Sequence, residues 1–382
     1  MTRKSTAEGC HKDDTFEKRE EELQRRLKAL FDSIEKGKVK FVAEKVPQTM
    51  KALKSVRRKA DGSFDLSTVE SPVRALCNMV DVFEASSIIQ DRKLSLALPL
   101  IKLPKLKTDR SSDDDFMRDL IEASNIVRKY LILVAALVPA KSIKRDECAI
   151  LMGHMVRLYK LYDSMGFLII ERRGEVAMTL IRSLIETVIN LRFMLSYGNN
   201  NLYKKYKKAS LAYEKRLWEE IEKRRKTPPL PIEQRMQDSI QETFERAGLK
   251  IEDVVWEDRF WGGDIFSKAD KVGLTELYEF GFRIFSHNIH GTWHDLEFHH
   301  LREKDGTFEP DFDYTMPVPQ IVESTTIVCV DVAKEYVIRI VGDSGKELCH
   351  NLNELSDWFR KMAQLHEIFI TGQNKRNDPQ GM

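Results

Sequence analysis

The sequence predicts an all-α protein, a multi-helix bundle with an N-terminal helical extension. Three observations support this fold class. Apolar residues recur at spacings of three and four through long stretches, as expected for amphipathic helices. Stop signals such as Pro139, Gly198 and Gly248 stand where these stretches end. The Val-, Ile- and Thr-rich run 322–340 contains no turn residue, and its length favours a helix over a strand.

The N-terminal extension is predicted to span residues 1–112. Its helices are expected at 14–35, 38–59 and 71–90, and a polar linker from Thr108 to Asp115 begins the next helix. A helical core domain should follow over 113–371, with a flexible tail at 372–382. The core helices are expected at 114–138, 145–171, 174–197, 200–226, 231–247, 271–290, 319–341 and 346–370, with a polar loop at 305–319.

Composition excludes several classes of protein. The five cysteines are scattered without a Cys-x-x-Cys pair, which excludes a disulfide framework and a thiolate zinc site. The first residues are polar, and the longest apolar run, Tyr130–Ala140, is too short to cross a bilayer. A cytoplasmic location without a membrane partner is therefore expected. Neither a phosphate-binding glycine loop nor a Ser or Cys nucleophile motif is present.

The near-neutral net charge of +2 conceals two basic stretches. Residues 1–60 carry a net charge of +7 and residues 201–226 one of +6. The second stretch interleaves its lysines with Tyr203, Tyr206, Tyr213 and Trp218, a pattern used for phosphate contact and base stacking. RNA or single-stranded nucleic acid is therefore one expected partner. The alternative is a solvated helix face whose aromatic residues point into the core.

Five of the nine histidines lie within residues 287–300. On a continuous helix, Arg283, His287, His290 and His294 would share one narrow face, beside an apolar stripe of Phe282, Phe285, Ile289 and Trp293. Three interpretations are open. The imidazoles form a structural polar seam, or His287, His290 and His294 hold a metal ion, or the face carries metal-independent phosphodiester chemistry without a cofactor. In the third, Arg283 stabilises phosphoryl charge and His290 transfers a proton.

The segment from Val176 to Leu195 is apolar on nearly every side, which predicts a central buried helix. One stripe of it is polar: Thr179, Arg182, Glu186 and Asn190. A buried Arg or Glu requires a partner, so these side chains are expected to pair with each other or with a facing helix. The stripe is interpreted either as a structural ion pair or as part of a functional site.

The Arg182-Ser-Leu-Ile-Glu186 core helix, followed by Ser286, His290 and Gly291 in Phe-Ser-His-Asn-Ile-His-Gly, resembles domain of unknown function family 5677 over roughly residues 145–300. Phe285 replaces the Leu common in that family, and His287 is particular to this chain. The resemblance implies a bacterial helical protein and locates the site, but the family has no established activity. The Arg283-x6-His290 spacing also resembles the widest motif of HEPN-superfamily ribonucleases, although Ile284 stands where a polar residue is usual.

The sequence therefore predicts a polar interhelical site formed by Arg182, Glu186, Arg283, His287 and His290. The leading hypothesis is HEPN-like RNA cleavage in a stress or phage-defence setting, based on analogy. The rival hypothesis is a non-catalytic interaction module whose N-terminal helices mediate assembly. A homo-oligomer is a further expected partner state. A histidine–metal hydrolase is a third alternative.

Overall fold

The computed structural model describes most of residues 21–32, residues 56–66, residue 98, and residues 101–137, 142–224 and 230–377. These residues are predominantly helical, which confirms the predicted all-α bundle. The chain divides into two compact units. The first comprises Met1–Ile101 with Ala136–Val138, and the second comprises Lys102–Ala135 with Pro139–Met382.

In the first unit, the described residues of 21–32 are helical, within the predicted helix 14–35. The Gln24 amide donates to the Phe64 carbonyl at 2.7 Å and accepts from the Phe64 amide at 2.8 Å. Phe64 also stacks on Phe31, with 5.1 Å between the ring centroids. Residues 56–59 are not helical, and the predicted helices 38–59 and 71–90 otherwise lie outside the described residues.

The long helices of the second unit begin and end close to their predicted positions. The last one continues to Asn377, beyond its predicted end at residue 370. The seven long helices and their bounds are α1 (Asp113–Ala135), α2 (Arg145–Ile170), α3 (Gly174–Tyr197), α4 (Asn200–Arg224), α5 (Pro231–Ala247), α9 (Pro319–Val341) and α10 (Lys346–Asn377), with the shorter elements α6 to α8 between α5 and α9.

Helices α1, α2, α3, α9 and α10 pack against one another and form the core. Their contact faces are apolar, so burial of these faces from water is the main stabilising contribution. Two buried tyrosines also find polar partners on other helices. The Tyr162 hydroxyl lies 2.9 Å from the Thr326 hydroxyl, and the Asn351 amide donates to the Tyr130 hydroxyl at 2.8 Å.

The prediction of one continuous helix over residues 271–290 is wrong. The chain forms α6 (Ile265–Lys271), a turn at Thr275–Leu277, a π-helical turn at Tyr278–Phe282, a 3₁₀ turn at Ile284–Ser286 and α7 (His287–His290). The π-helical turn brings the backbone of Gly281 against α3, where a Cβ atom would lie 2.7 Å from Ile185 Cδ1. Close packing on α3 therefore takes precedence over regular helix geometry here.

The second strand of a hairpin occupies the start of the polar loop predicted at 305–319, and a short helix precedes the hairpin. Helix α8 (Trp293–His299) precedes β1 (Leu301–Lys304) and β2 (Thr307–Pro310), which pair antiparallel. Asp305 and Gly306 form the turn with φ of +51° and +75°. An Asp-Gly pair is a favoured hairpin turn, so the sequence did contain the signal. The surrounding charged residues and prolines obscured it.

Candidate functional site

The polar stripe of α3 lies where this helix meets the interrupted segment 275–290. Ile181, Leu184 and Ile185 are buried, whereas Arg182 and Glu186 are only partly buried. The stripe is therefore at the edge of the core, so Arg182 and Glu186 keep some contact with water.

Arg182 connects α3 to the 3₁₀ turn that precedes α7. Its Nε donates to the Ser286 hydroxyl at 3.0 Å, and its guanidinium carbon lies 4.3 Å from the centre of the Phe282 ring. A longer ion pair of 3.7 Å joins Nη1 to Glu186. The Ser286 hydroxyl in turn donates to the Phe282 carbonyl at 2.7 Å. We call this set of contacts the Arg182 latch, because it attaches the histidine-bearing segment to the buried helix.

Asn190, one turn further along α3, meets a lysine that the sequence did not single out. Lys268 of α6 is buried and donates to Asn190 Oδ1 at 3.2 Å. Its ammonium lies 3.5 Å from the centre of the Trp261 ring. Burial lowers the pKa of Lys268 to about 8, while Glu186 and Asp264 oppose that shift. The ring of Trp261 and the Asn190 carbonyl thus replace water around the ammonium.

His154 is buried on α2. Its ring faces Tyr206 at 5.4 Å, and neither ring nitrogen has a hydrogen-bond partner within the described residues. Burial lowers the pKa of His154 to about 4, and the nearby charges of Arg157 and Lys268 act in the same direction. This imidazole is therefore neutral at physiological pH.

The predicted site residues Arg283, His287 and His290 are all exposed. Arg283 pairs with Glu279 at 2.6 Å, and the His287 ring lies 3.0 Å from the Thr292 hydroxyl. His290 has no hydrogen-bond or ion-pair partner among the residues that the structure describes. Arg182 and Glu186 share one set of contacts, whereas Arg283 has a different carboxylate partner. The shared face predicted for Arg283 and His290 assumed a continuous helix, and the π and 3₁₀ turns interrupt it.

Helix α8 has an inverted pattern of burial. Its one buried residue is Asp295, which accepts from the Asn288 amide at 2.8 Å and lies 3.6 Å from His300 Nε2. Trp293 and Phe298 are instead 58% and 66% exposed. A surface helix normally buries its apolar residues and exposes its charged ones. The polar contacts of Asp295 therefore fix α8 in an orientation that leaves its aromatic residues exposed.

Further exposed apolar side chains lie beside α8. The Trp293 ring lies 5.5 Å from Phe308 of β2, and Phe312 after the hairpin is 90% exposed. The backbone at Asp311 is held by a hydrogen bond to the His300 carbonyl. We define the aromatic surface by the exposed apolar side chains of α7, α8 and the hairpin region: Ile289, Trp293, Leu296, Phe298, Phe308 and Phe312.

Several lysines of the basic helix α4 donate hydrogen bonds to the end of α5 and to the segment that follows α5. Lys207, Lys208 and Lys215 donate to the backbone carbonyls of Ala247, Asp253 and Val254, respectively. Tyr203 is buried and Tyr213 is exposed, so the aromatic residues are divided between core and surface. Lys204 and Lys205 of the same helix are exposed.

The described residues contain neither a cluster of metal ligands nor a membrane-spanning helix. Within residues 101–137, 142–224, 230–377 and the shorter described stretches, no three His, Cys, Asp or Glu side chains are arranged to hold a metal ion. The rings of His287 and His294 are 5.5 Å apart, without a third ligand beside them. Across the same ranges, no helix combines the length and the apolarity required to cross a bilayer.

Residues 149–308 match the model of a family described as Family of unknown function (DUF5677). The matched range contains α3, the Arg182 latch, α8 and the start of the hairpin. It supports the family resemblance predicted from Arg182, Glu186, Ser286, His290 and Gly291. No curated protein and no solved structure matches the chain.

Sequence reasoning identified Arg182 and Ser286, which the structure brings together. It missed Lys268, and it assigned Ile289 and Trp293 to a buried stripe although both are exposed. The spacing of apolar residues indicates which of them share a helix face, but it does not indicate whether that face meets the body of the protein.

Proposed function

We propose that this protein is a non-catalytic assembly module, whose aromatic surface binds another protein. The inverted burial of α8 carries this proposal. Asp295 is 6% exposed, whereas the larger and less polar Trp293 and Phe298 remain open to water. Large exposed apolar side chains, such as Trp293 packed against the exposed Phe308, mark a contact surface more often than a catalytic one.

The arrangement of the polar residues supports this choice over an enzyme. A catalytic site requires its charged groups to converge on one reacting position. Arg182 contacts Ser286 and Glu186, whereas Arg283 contacts Glu279. The latch therefore has a structural role, which is to hold the segment that leads into the aromatic surface.

Photo-crosslinking from Phe298 tests this function. A photoreactive phenylalanine analogue replaces Phe298 in the full chain, in the cells that naturally carry it. The control places the same analogue at Phe167, which is 63% exposed on α2. We expect a protein adduct of defined mass from position 298 and none from position 167. If position 298 yields no more adduct than position 167, the aromatic surface is not a protein contact.

A second candidate function is metal-independent RNA cleavage, of the HEPN-like kind and in a defence setting. Two observations favour it: His290 is exposed and has no hydrogen-bond partner among the described residues, and Arg283 is exposed on the same segment. An exposed imidazole is accessible to a ribose 2′-hydroxyl, and a guanidinium stabilises phosphoryl charge.

The substitution His290→Ala distinguishes this candidate from the assembly module. If His290 is a general acid or base, the variant should lose RNA cleavage by at least a hundredfold at an unchanged melting temperature, without sensitivity to chelators. The assembly module predicts that neither the wild-type chain nor the variant degrades RNA. RNA integrity and the melting temperature are measured on the same samples. Cleavage by the wild-type chain that His290→Ala removes would establish the enzyme instead.

A further inference from the structure

The aromatic surface lies in the acidic part of the second unit. Residues 280–313 contain seven Asp and Glu against three Lys and Arg, a net charge of −4 with neutral histidines. Arg302 and Lys304 already pair with Asp311 and Glu309 of this region, and Arg283 pairs with Glu279 just before it. The surface therefore combines exposed aromatic rings with negative charge. This composition disfavours a nucleic-acid ligand, because phosphates would be repelled.

Helix α4 has the complementary composition. Asn200–Arg224 contains eight Lys and Arg against four Glu, a net charge of +4. Lys204 and Lys205 are exposed and form no ion pair with the described residues. Tyr213 and Leu217 of the same helix are 63% and 42% exposed. One chain thus carries both an acidic surface with exposed aromatic rings and a basic helix with exposed apolar side chains.

The summed exposed apolar area is comparable with the apolar part of a standard interface. The four rings of Trp293, Phe298, Phe308 and Phe312 are between 48% and 90% exposed. An aromatic side chain presents about 200 Å² when fully exposed, so these four present on the order of 500 Å² of apolar surface. A standard interface buries about 800 Å² on each partner, of which a little over half is apolar.

We propose that the aromatic surface of one copy of this chain binds α4 of a second copy. This inference rests on the proposed assembly function and names the partner. Two aromatic surfaces facing each other would bring two charges of −4 together, which opposes a symmetric contact. A head-to-tail contact instead brings the exposed Lys204 and Lys205 of one copy to the acidic surface of the other. A head-to-tail pair leaves one aromatic surface and one α4 unoccupied. Further copies can therefore add, and the assembly either closes into a ring or grows as a filament.

A complementation experiment on the full chain tests this contact. Phe298→Glu disrupts the aromatic surface and leaves α4 intact, whereas Lys204→Glu with Lys205→Glu disrupts α4 and leaves the aromatic surface intact. All three positions are exposed, so the variants should melt as the wild-type chain does. Phe167→Glu serves as the control. Molar mass is measured by sedimentation across a hundredfold range of concentration, at low and high salt.

We expect the mass of the wild-type and Phe167→Glu chains to rise with concentration and to fall with salt. Each of the other variants alone should associate at least tenfold more weakly, so its mass should begin to rise only at a concentration at least tenfold higher. A mixture of those two variants should form a dimer and nothing larger, since one intact contact remains between them. A contact between two aromatic surfaces, or between two copies of α4, would not give this result.

Three results would overturn the inference: a monomeric wild-type chain, a lysine variant that assembles normally, or a mixture that stays monomeric. A monomeric wild-type chain that still crosslinks from position 298 to a different protein would leave the assembly function standing. Absence of any adduct from position 298 would remove the assembly function as well.

Discussion

Arg182→Ala should lower the free energy of unfolding of the second unit by about 3 kcal/mol. The substitution removes a charged hydrogen bond to Ser286, for which about 1.5–3 kcal/mol is typical. It also removes the cation–π contact with Phe282, which contributes about 0.5–2 kcal/mol. The 3.7 Å ion pair with Glu186 adds little, because the Glu186 side chain is 45% exposed.

Arg283→Ala is the matched control for this prediction. Arg283 lies on the segment that the latch holds, but its side chain is 64% exposed and pairs only with Glu279 among the described residues. Its removal should leave the free energy of unfolding almost unchanged, because the pair is solvent-exposed. Urea denaturation followed by circular dichroism measures both variants. Equal effects of the two substitutions would show that Arg182 has no special structural role.

Glu323→Gln should stabilise the protein above pH 7 and have much less effect near pH 4. Glu323 of α9 is 2% exposed, and its Oε1 has no hydrogen-bond partner in the described part of the chain. Burial raises the pKa of this carboxyl from 4.5 to about 7. Between these two values the folded chain holds a proton that the unfolded chain has released, so stability falls as pH rises.

The size of this effect follows from the pKa difference. One unit corresponds to about 1.4 kcal/mol, so ionised Glu323 costs the folded state about 3 kcal/mol above pH 7. Glutamine does not ionise and avoids that cost. Urea denaturation of both chains at pH 4 and pH 8 provides the comparison. If the two chains differ in stability by the same amount at pH 4 and pH 8, titration of Glu323 is not the cause of the difference.

Much of the fold follows from local patterns that the sequence displays. The bounds of α2, α3, α5 and α9 agree with the predictions to within a residue, because helix periodicity and stop residues act locally. The break at 273–286 did not follow, since it depends on Gly281 approaching Ile185 of a helix nearly one hundred residues earlier. Such a contact requires knowledge of the tertiary packing.

The candidate site was only partly predicted, because some of its features also depend on tertiary packing. Arg182 stood out because a buried charge requires a partner, and Ser286 because the family resemblance included it. The inverted burial of α8 is not visible in the sequence. Its apolar residues alternate with charged ones as in an ordinary surface helix, and only the contacts of Asp295 determine which side faces the protein.

The central claim is that the Arg182 latch holds the segment leading into the aromatic surface. Hydrogen exchange of the backbone amides in residues 284–299 tests it most directly, with Arg182→Ala, the milder Ser286→Ala and the control Arg283→Ala. Loss of about 3 kcal/mol of anchoring should accelerate exchange there by about a hundredfold in Arg182→Ala, by less in Ser286→Ala, and hardly at all in Arg283→Ala. Unchanged protection of these amides in Arg182→Ala would contradict the claim.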